Sequence, residues 1–181
     1  MIVLCGKSGS GKDTIGKELL NMGLRKVVTY TTRSPRKNEI DGENYHFISD
    51  GKFMLMKSRG DFLETTQYEV ADGSVWYYGT PKEELDDNKF AILNPDGVRA
   101  ILKHPEYNPI VFYLFTEDTK RMERLRERGD NPIEVSRRMY ADEIDFAGMG
   151  ELADYHIPNN VSEPKVIADY IWYIYFEKGR K

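Results

Sequence analysis

Short apolar runs rich in β-branched residues alternate along this chain with stretches whose apolar positions repeat at helical spacing. Strands buried in a parallel sheet have this near-continuous apolar character, whereas amphipathic helices have that spacing. The predicted strands span residues 2–4, 27–29, 90–93, 110–115 and 156–158. The predicted helices span residues 12–21, 96–104, 118–128 and 163–176. The alternation predicts an α/β fold of three layers, with a parallel core sheet between two layers of helices.

Two segments interrupt this alternation. Residues 31–81 contain many turn residues, several tyrosines and short alternating patches, which predicts a small mixed or β-rich insertion. Residues 118–145 are strongly charged and rich in arginine, which predicts helices. An arginine-rich helix is usually a solvated surface, and we assign Arg121, Arg126 and Arg137 to such a surface.

The composition limits the classes of protein to which this chain can belong. At 181 residues it can build one substantial core, and its net charge of −4 argues against a general nucleic-acid binder. Its single cysteine, Cys5, excludes an intrachain disulfide and is expected to be a buried apolar residue. The chain has no apolar run of membrane-spanning length, and its first predicted strand begins at residue 2. We therefore expect a cytoplasmic protein without a signal peptide or a membrane partner.

Glycines, serines and a lysine follow the first predicted strand. Residues 6–12 have the spacing Gly-x-x-x-x-Gly-Lys at a strand-to-helix junction, which is typical of a phosphate-binding P-loop rather than a surface turn. Glycines let several backbone N–H groups converge on one phosphate, and the N-terminus of the next helix attracts the same anion. We expect Lys12 to lie across the β- and γ-phosphates of a nucleoside triphosphate. The candidate residues of this site are Gly6, Ser8, Gly9, Ser10, Gly11, Lys12, Asp13 and Thr14.

Arg33 and Arg36 lie three residues apart on a loop that contains a proline, so they can bind one phosphate from two sides. Further motifs follow in order. They are T-T-R-x-P-R at 31–36, G-x-x-Y-x-F at 42–47, F-x-E at 62–64, Y-Y-G-T at 77–80 and R-x-R-G at 126–129. With the P-loop, these motifs cover nearly the whole chain, which resembles the guanylate kinase family. Members of this family transfer a phosphoryl group from ATP to GMP.

The resemblance implies a role for individual residues of the acceptor site. Arg33, Arg36, Tyr45 and Tyr78 match the positions that hold the acceptor phosphate. Glu64 matches the carboxylate that pairs with guanine N1–H and the exocyclic amino group. The remaining matches are Thr29 and Thr80, at positions of serine hydroxyls near the guanine, and Asp96, at an aspartate that faces the acceptor base.

The resemblance also implies a donor site, a lid and a division of the chain. Arg124, Arg128 and Arg138 match lid arginines that act on the phosphates together with Lys12, and Asn159 and Asn160 fall where the family contacts the adenine end of ATP. The implied parts are a P-loop core of residues 1–30, 82–117 and 146–181, an NMP-binding insertion of residues 31–81 and a lid of residues 118–145. Mg²⁺ is the implied cofactor, ATP and GMP or dGMP are the implied substrates, and a monomer or homodimer is expected.

The chain departs from the family where the metal is held. Asp13 replaces the small residue, often a magnesium-binding serine, that follows the P-loop lysine. Asn94 replaces an aspartate that is the usual outer partner of the metal, in a loop of residues 94–97 that is shorter than in the family. We predict that Asp13 supplies the carboxylate oxygen that Asn94 lacks, since magnesium favours oxygen ligands. The alternative is that Asp13 only complements the helix dipole.

Two other functions remain open at this point. The shortened loop of residues 94–97 leaves room for a kinase that acts on another nucleoside or deoxynucleoside monophosphate. A non-catalytic guanylate-kinase-like module could instead bind phosphopeptides at the acceptor site. Gly11, Lys12 and the lid arginines disfavour this module, because an interaction domain does not need to bind a triphosphate.

Overall fold

The computed structural model of the protein describes residues 1–70, 73–161 and 163–178. The strands of this described part are β1 Ile2–Cys5, β2 Arg25–Lys26, β3 Tyr30–Thr31, β4 His46–Phe47, β5 Phe62–Glu69, β6 Val75–Pro81, β7 Lys89–Ile92, β8 Ile110–Phe115 and β9 Tyr155–Pro158. Its helices are α1 Lys12–Asn21, α2 Asp50–Arg59, α3 Pro95–Ile101, α4 Asp118–Glu127, α5 Pro132–Asp145, α6 Met149–Leu152 and α7 Pro164–Lys178. No helix among these residues is both long enough and apolar enough to cross a bilayer.

The chain divides into two compact units. The first, here called the core unit, contains residues 1–26 and 87–181, and the second, the insertion unit, contains residues 27–86. The predicted division into core, insertion and lid differs from this one in its boundaries and stays a prediction.

The core unit is built on a parallel sheet with the strand order β2-β7-β1-β8-β9. Val3 of β1 pairs with Ala91 of β7 on one side and with Val111 of β8 on the other. The chain runs from β1 to β2 on the β7 side of the sheet, and later crosses from β7 to β8 on the other side of β1, so the strand order reverses at β1. The crevice at the carboxyl end of such a strand is where α/β sheets bind ligands. The segment of residues 6–12 begins at this end of β1.

Helices cover both faces of the core sheet. Ile2 and Leu4 lie in one hydrophobic cluster with Ile15 of α1 and Ile171 of α7. Alternate residues of a strand point to opposite faces, and the buried Val3 belongs to the face on which α3 and α6 contact β1 and β8. The structure confirms the predicted three-layer α/β fold.

Cys5 ends β1 and is fully buried, as the sequence predicts. Burial raises the pKa of its thiol to about 12, although the charge of Lys12 opposes that shift. At neutral pH the thiol therefore stays protonated and packs as a small apolar residue.

The insertion unit has a four-stranded sheet with the order β4-β3-β6-β5. β3 runs parallel to β4 and antiparallel to β6, and β6 is antiparallel to β5. Helix α2 packs Phe53 and Met56 against Phe62 of β5. Ser49 caps this helix by accepting a hydrogen bond from the Lys52 backbone N–H, and Gly60 ends it in the left-handed conformation. The predicted mixed insertion is confirmed.

The predicted strand of residues 27–29 is wrong, and the predicted helix of residues 96–104 is too long. Arg25 and Lys26 pair with β7, whereas Tyr30 and Thr31 pair within the insertion sheet, so residues 27–29 link the two ladders without belonging to either. Val27 is nevertheless buried, which explains its apolar character. The Leu102 N–H still bonds Val98 four residues back, but the N–H groups of Lys103 and His104 bond carbonyls three residues back, so the α-helical pattern ends and helix α3 stops at Ile101.

Candidate functional site

The P-loop of the core unit curves from β1 into α1 and is held by the end of β9. Gly11 precedes α1 in the left-handed conformation, with φ of 93°. A Cβ atom at Gly11 would lie 2.4 Å from Nδ2 of Asn159, so this position requires glycine. The same Nδ2 donates a 2.8 Å hydrogen bond to the Ser10 carbonyl oxygen, and both side chains are buried. The prediction that Asn159 binds ATP stays a prediction, whereas its bond to the loop is a feature of the structure.

The Lys12 ammonium lies against the loop that it follows. It donates hydrogen bonds to the carbonyl oxygens of Gly6 and Lys7, at 2.5 and 3.0 Å. Burial lowers the pKa of Lys12, and the nearby charge of Asp13 opposes this shift. These bonds hold the ammonium at the loop. A phosphate bound there would face both the ammonium and the backbone N–H groups of the loop.

Arg124 also reaches the P-loop. Its guanidinium donates to the Asn159 carbonyl oxygen at 2.8 Å and to the Gly9 carbonyl oxygen at 3.3 Å. Helix α4 positions it, because Arg124 precedes the buried Leu125 by one residue and is itself only half-buried. The structure thus brings the first of the predicted lid arginines to the P-loop.

The two other predicted lid arginines form ion pairs near the α4–α5 turn. Asp130 pairs with Arg128 and also, at 3.2 Å, with Arg138, while Arg138 Nε donates to Glu134 at 2.8 Å. The hydrogen bond from Arg137 holds the pKa of Glu134 below its ordinary value, against the effect of burial and with the help of Arg138. Asp130 therefore holds both guanidiniums close to the turn between α4 and α5.

The assignment of Arg121 to a solvated surface is wrong. Its side chain is fully buried, and its guanidinium donates to the Ser8 carbonyl oxygen at 2.8 Å, to Asp118 at 2.7 Å and to Asp142 at 2.5 Å. One signal in the sequence could have indicated this, since Arg121 lies four residues before Leu125 on the apolar face of α4. Arg126 is exposed, as expected, and Arg137 is partly buried against Glu134.

Asp13 and Asn94, the two residues that depart from the family pattern at the predicted metal site, have different surroundings. Asp13 is exposed in the first turn of α1. The side-chain oxygen of Asn94 accepts a 2.8 Å hydrogen bond from the Gly97 N–H and caps α3, and Asp96 is exposed beside Arg99, at 3.0 Å. Residues 1–70, 73–161 and 163–178 contain no group of three or more His, Cys, Asp or Glu side chains that could hold a metal ion.

The insertion unit brings together the residues predicted to hold the acceptor phosphate. Arg33 is buried, and its guanidinium forms a two-pronged ion pair with Glu39, at 2.9 Å for each bond. The Arg33 guanidinium also lies 5.4 Å from the ring centre of Tyr45, whose ring is 6.0 Å from that of Tyr78. Arg36 donates its backbone N–H to Glu39 at 2.7 Å and keeps its side chain half-exposed.

The Arg33–Glu39 pair changes the titration of both partners. Burial alone would lower the pKa of Arg33, but its hydrogen bond to Glu39 and the neighbouring Tyr78 raise it. Burial acts on Glu39 in the opposite direction, yet the bonds from Arg33 and Arg36 lower the pKa of this carboxyl. Both groups are therefore charged at neutral pH, and Glu39 fixes the direction of the Arg33 guanidinium.

Glu64 and Thr80, both predicted to contact guanine, are directly bonded. They face each other across the β5–β6 ladder, and the Thr80 hydroxyl donates to Oε1 of Glu64 at 2.7 Å. The Thr66 hydroxyl donates to Oε2 at 3.1 Å, a contact that sequence reasoning missed. Thr29 lies just before β3 and outside the insertion sheet, and its carbonyl oxygen accepts the His46 N–H at 2.9 Å. Asp96 belongs to the core unit rather than to this group.

The comparison with known proteins shows the family of this chain. The model of the family described as guanylate kinase matches residues 1–167. The chain belongs to the guanylate kinase family. Among curated proteins, the guanylate kinase of Rhodopirellula baltica is 35% identical over 139 residues, or 71% of this chain and 65% of that protein. The guanylate kinase of Rickettsia prowazekii is 34% identical over 170 residues, or 88% of this chain and 83% of that protein.

A solved member of the guanylate kinase family has the same fold. The crystal structure of guanylate kinase from Anaplasma phagocytophilum matches with a TM-score of 0.71 and 27% sequence identity. The match covers 100% of this chain and 86% of that one. The motifs noted in the sequence therefore lie on the architecture that this family uses.

Proposed function

We propose that this chain transfers the γ-phosphoryl group of ATP to GMP or dGMP. The observation that carries this proposal is the Glu64 carboxylate, which is held by the hydroxyls of Thr80 and Thr66 in the insertion unit of a guanylate kinase family member. A carboxylate accepts hydrogen bonds and donates none at neutral pH. Guanine presents two adjacent donors, N1–H and the exocyclic amino group, and adenine lacks this pair on one edge. Such a site favours guanine.

The donor half of the reaction belongs to the core unit. Phosphoryl transfer requires the reactants to be positioned and the negative charge of the transferring group to be neutralised, with little covalent chemistry by the protein. Lys12 and Arg124 lie at the P-loop and supply two positive charges for this purpose. Arg128 and Arg138, close together on the lid helices, would add charge once ATP is bound.

The acceptor half belongs to the insertion unit. Arg33 and Arg36 share Glu39, and with Tyr45 and Tyr78 they supply guanidinium and hydroxyl donors for the acceptor phosphate. An ionised phosphate oxygen is already a nucleophile, so no general base is needed. Exclusion of water around the two phosphates would favour transfer over hydrolysis of ATP.

Kinases of this kind use ATP together with a divalent metal ion, and we propose that the ion is Mg²⁺. Asp13 fits this ion, because its carboxylate is an exposed oxygen ligand in the first turn of α1 and has no hydrogen bond or ion pair within the described residues. Bound Mg²⁺ would neutralise charge on the phosphates. Asn94 is already used to cap α3 and would act on the metal at most through other groups.

A transfer experiment tests the proposed reaction. Protein incubated with Mg²⁺, GMP and ATP labelled with ³²P at the γ-position should move the label into GDP, as separated by chromatography. A reaction with ATP alone measures hydrolysis, and a Lys12→Ala protein gives the background. Label found only in inorganic phosphate would contradict the proposal, because ATP would then be hydrolysed without transfer to GMP. Unchanged ATP after long incubation would also contradict the proposal and would favour the interaction module.

A further inference from the structure

One residue of the P-loop is held from two sides by a buried ion pair. We propose that Arg121 and Asp142 are positioning residues that keep the P-loop in its phosphate-binding shape before nucleotide binds. This inference rests on the proposed ATP site, but it concerns residues outside the recognised motifs. Arg121 comes from α4 and Asp142 from α5, so the pair joins both lid helices to the loop.

The contacts close a ring around Ser8. The Ser8 carbonyl oxygen accepts from Arg121 Nε at 2.8 Å, and the Ser8 backbone N–H donates to Asp142 Oδ2 at 2.7 Å. The Ser8 hydroxyl donates to the other carboxylate oxygen at 3.3 Å, and Arg121 Nη2 donates to Asp142 Oδ2 at 2.5 Å. Both backbone polar groups of Ser8 are thereby bound to side chains that also bind each other. Rotation of this peptide would break several of these bonds together.

Burial makes this arrangement costly unless each charge is well bonded. The Arg121 side chain is fully buried, and its remaining nitrogen, Nη1, donates to Asp118 at 2.7 Å. An apolar pair of similar size often stabilises a fold as well as a buried ion pair does. The pair is therefore weak evidence for stability, and its bonds to Ser8 indicate that its effect is on the geometry of the loop.

The loop also packs directly on the backbone of α4. Gly9 has φ of 77°, and a Cβ atom there would lie 2.7 Å from the Arg121 carbonyl oxygen. Lys7, which precedes Ser8 in the loop, pairs with Glu143 of α5 at 2.5 Å. Residues 7, 8 and 9 thus each contact a lid helix, and a shift of α4 or α5 would move the loop.

This geometry has a consequence for nucleotide binding. Because Asp142 accepts the Ser8 N–H, that donor is already used, and the phosphates are left to later N–H groups of the loop and to Lys12. A loop that is ordered in advance loses less conformational entropy when the ligand binds. Removal of the pair should therefore weaken binding of ATP and ADP and leave the affinity for GMP unchanged.

The central test measures ADP binding by calorimetry, which needs no acceptor and no turnover. Three variants disrupt the Arg121–Asp142 pair in different ways. Asp142→Asn keeps the shape of the side chain, Arg121→Lys keeps its charge, and the double variant Arg121→Met with Asp142→Leu removes both charges. We expect each to weaken ADP binding about tenfold or more, to raise KM for ATP and to leave KM for GMP unchanged. Arg126→Met, at an exposed position of the same helix, is the matched control and should bind ADP as the wild type does.

Thermal unfolding separates a local effect on the loop from a loss of fold. The double variant should melt close to the wild type because an apolar pair replaces the ion pair. A folded double variant with wild-type ADP affinity would overturn the inference. A wild-type protein that binds no ADP would overturn it together with the proposed function, whereas ADP binding without turnover of any monophosphate would contradict only the function.

A second measurement needs no variant. Amide hydrogen exchange of the wild-type protein without nucleotide should show the Ser8 N–H protected about a hundredfold or more, like the amides of β1. Exchange of this amide at the rate of an unstructured chain would overturn the inference, because the bond to Asp142 would then not hold the loop.

Discussion

The Thr80 hydroxyl donates a 2.7 Å hydrogen bond to Oε1 of Glu64, across the antiparallel pair of β5 and β6. Thr66 binds the second carboxylate oxygen from the same strand as Glu64. One hydroxyl on each oxygen fixes the plane of the carboxylate. A carboxylate oxygen can accept more than one hydrogen bond, and guanine offers two donors at matching spacing.

Glu64→Gln should reduce kcat/KM for GMP by about a hundredfold or more and leave KM for ATP nearly unchanged. The amide presents one acceptor and one donor, so one guanine donor loses its partner. Glu69→Gln, an exposed change on the same strand, is the control. Steady-state kinetics with each substrate varied in turn will measure both constants, and equal losses for the two Gln variants would exclude a specific role for Glu64.

Lys12→Ala should lower kcat by roughly two to three orders of magnitude with little effect on the melting temperature. The ammonium bonds atoms of the loop itself, namely the carbonyl oxygens of Gly6 and Lys7 and the Ser10 hydroxyl, so its removal leaves the core clusters untouched. Lys17→Ala, an exposed position of α1, provides the comparison. Near-normal turnover in Lys12→Ala would show that the lysine charge does not act on the transferring phosphate.

Asp13→Asn should raise the Mg²⁺ concentration needed for half-maximal activity, because the metal loses a charged oxygen ligand. Asp13→Ser should need nearly as much Mg²⁺ for half-maximal activity as Asp13→Asn does. Asn94→Ala should instead lower the free energy of unfolding by about 1 kcal/mol through loss of the α3 cap, with a small effect on the Mg²⁺ requirement. An unchanged Mg²⁺ requirement in Asp13→Asn would make Asp13 a helix-end charge only.

Glu39→Gln should destabilise the insertion unit by about 3 kcal/mol at pH 7, because it leaves the buried Arg33 without a charged partner. The folded-state pKa of Glu39 is depressed, so its contribution is present above the ordinary carboxyl pKa of 4.5 and is lost as pH falls through the lower folded value. Urea unfolding of wild type and variant should therefore differ most at neutral pH and converge under acid conditions. A difference that stays constant down to pH 3 would contradict this account of the pair.

Sequence patterns predicted the bounds of those helices and strands whose ends are set by residues within or next to them. Helix α1 and strand β8 have the predicted bounds because each is bordered by residues that end or begin it, as Gly11 does for α1. The strand predicted at residues 27–29 failed because pairing partners are chosen by tertiary structure, and an apolar run carries no information about them. Asn94, followed by proline, had a helix-cap signal that was overlooked in favour of its place in a metal motif.

The candidate site shows the same division. The P-loop, Arg33 and Glu64 were predicted from motifs, and the structure brings each together with its predicted neighbours. The buried Arg121 was missed because its partner Asp142 lies 21 residues away on another helix, and no local pattern links them. Charged residues are judged from sequence by their usual exposure, so a buried ion pair is the feature that such a judgement misses.

Acceptor specificity tests the central claim most directly. A coupled assay with ATP and Mg²⁺ should give kcat/KM for each of GMP, dGMP, AMP, CMP and UMP with the wild-type protein. We expect kcat/KM for GMP or dGMP to exceed that for each of the other three by about a hundredfold or more. The bases of AMP, CMP and UMP do not present the pair of donors that the Glu64 carboxylate would accept. A higher kcat/KM for AMP, CMP or UMP than for both guanine nucleotides would contradict the account.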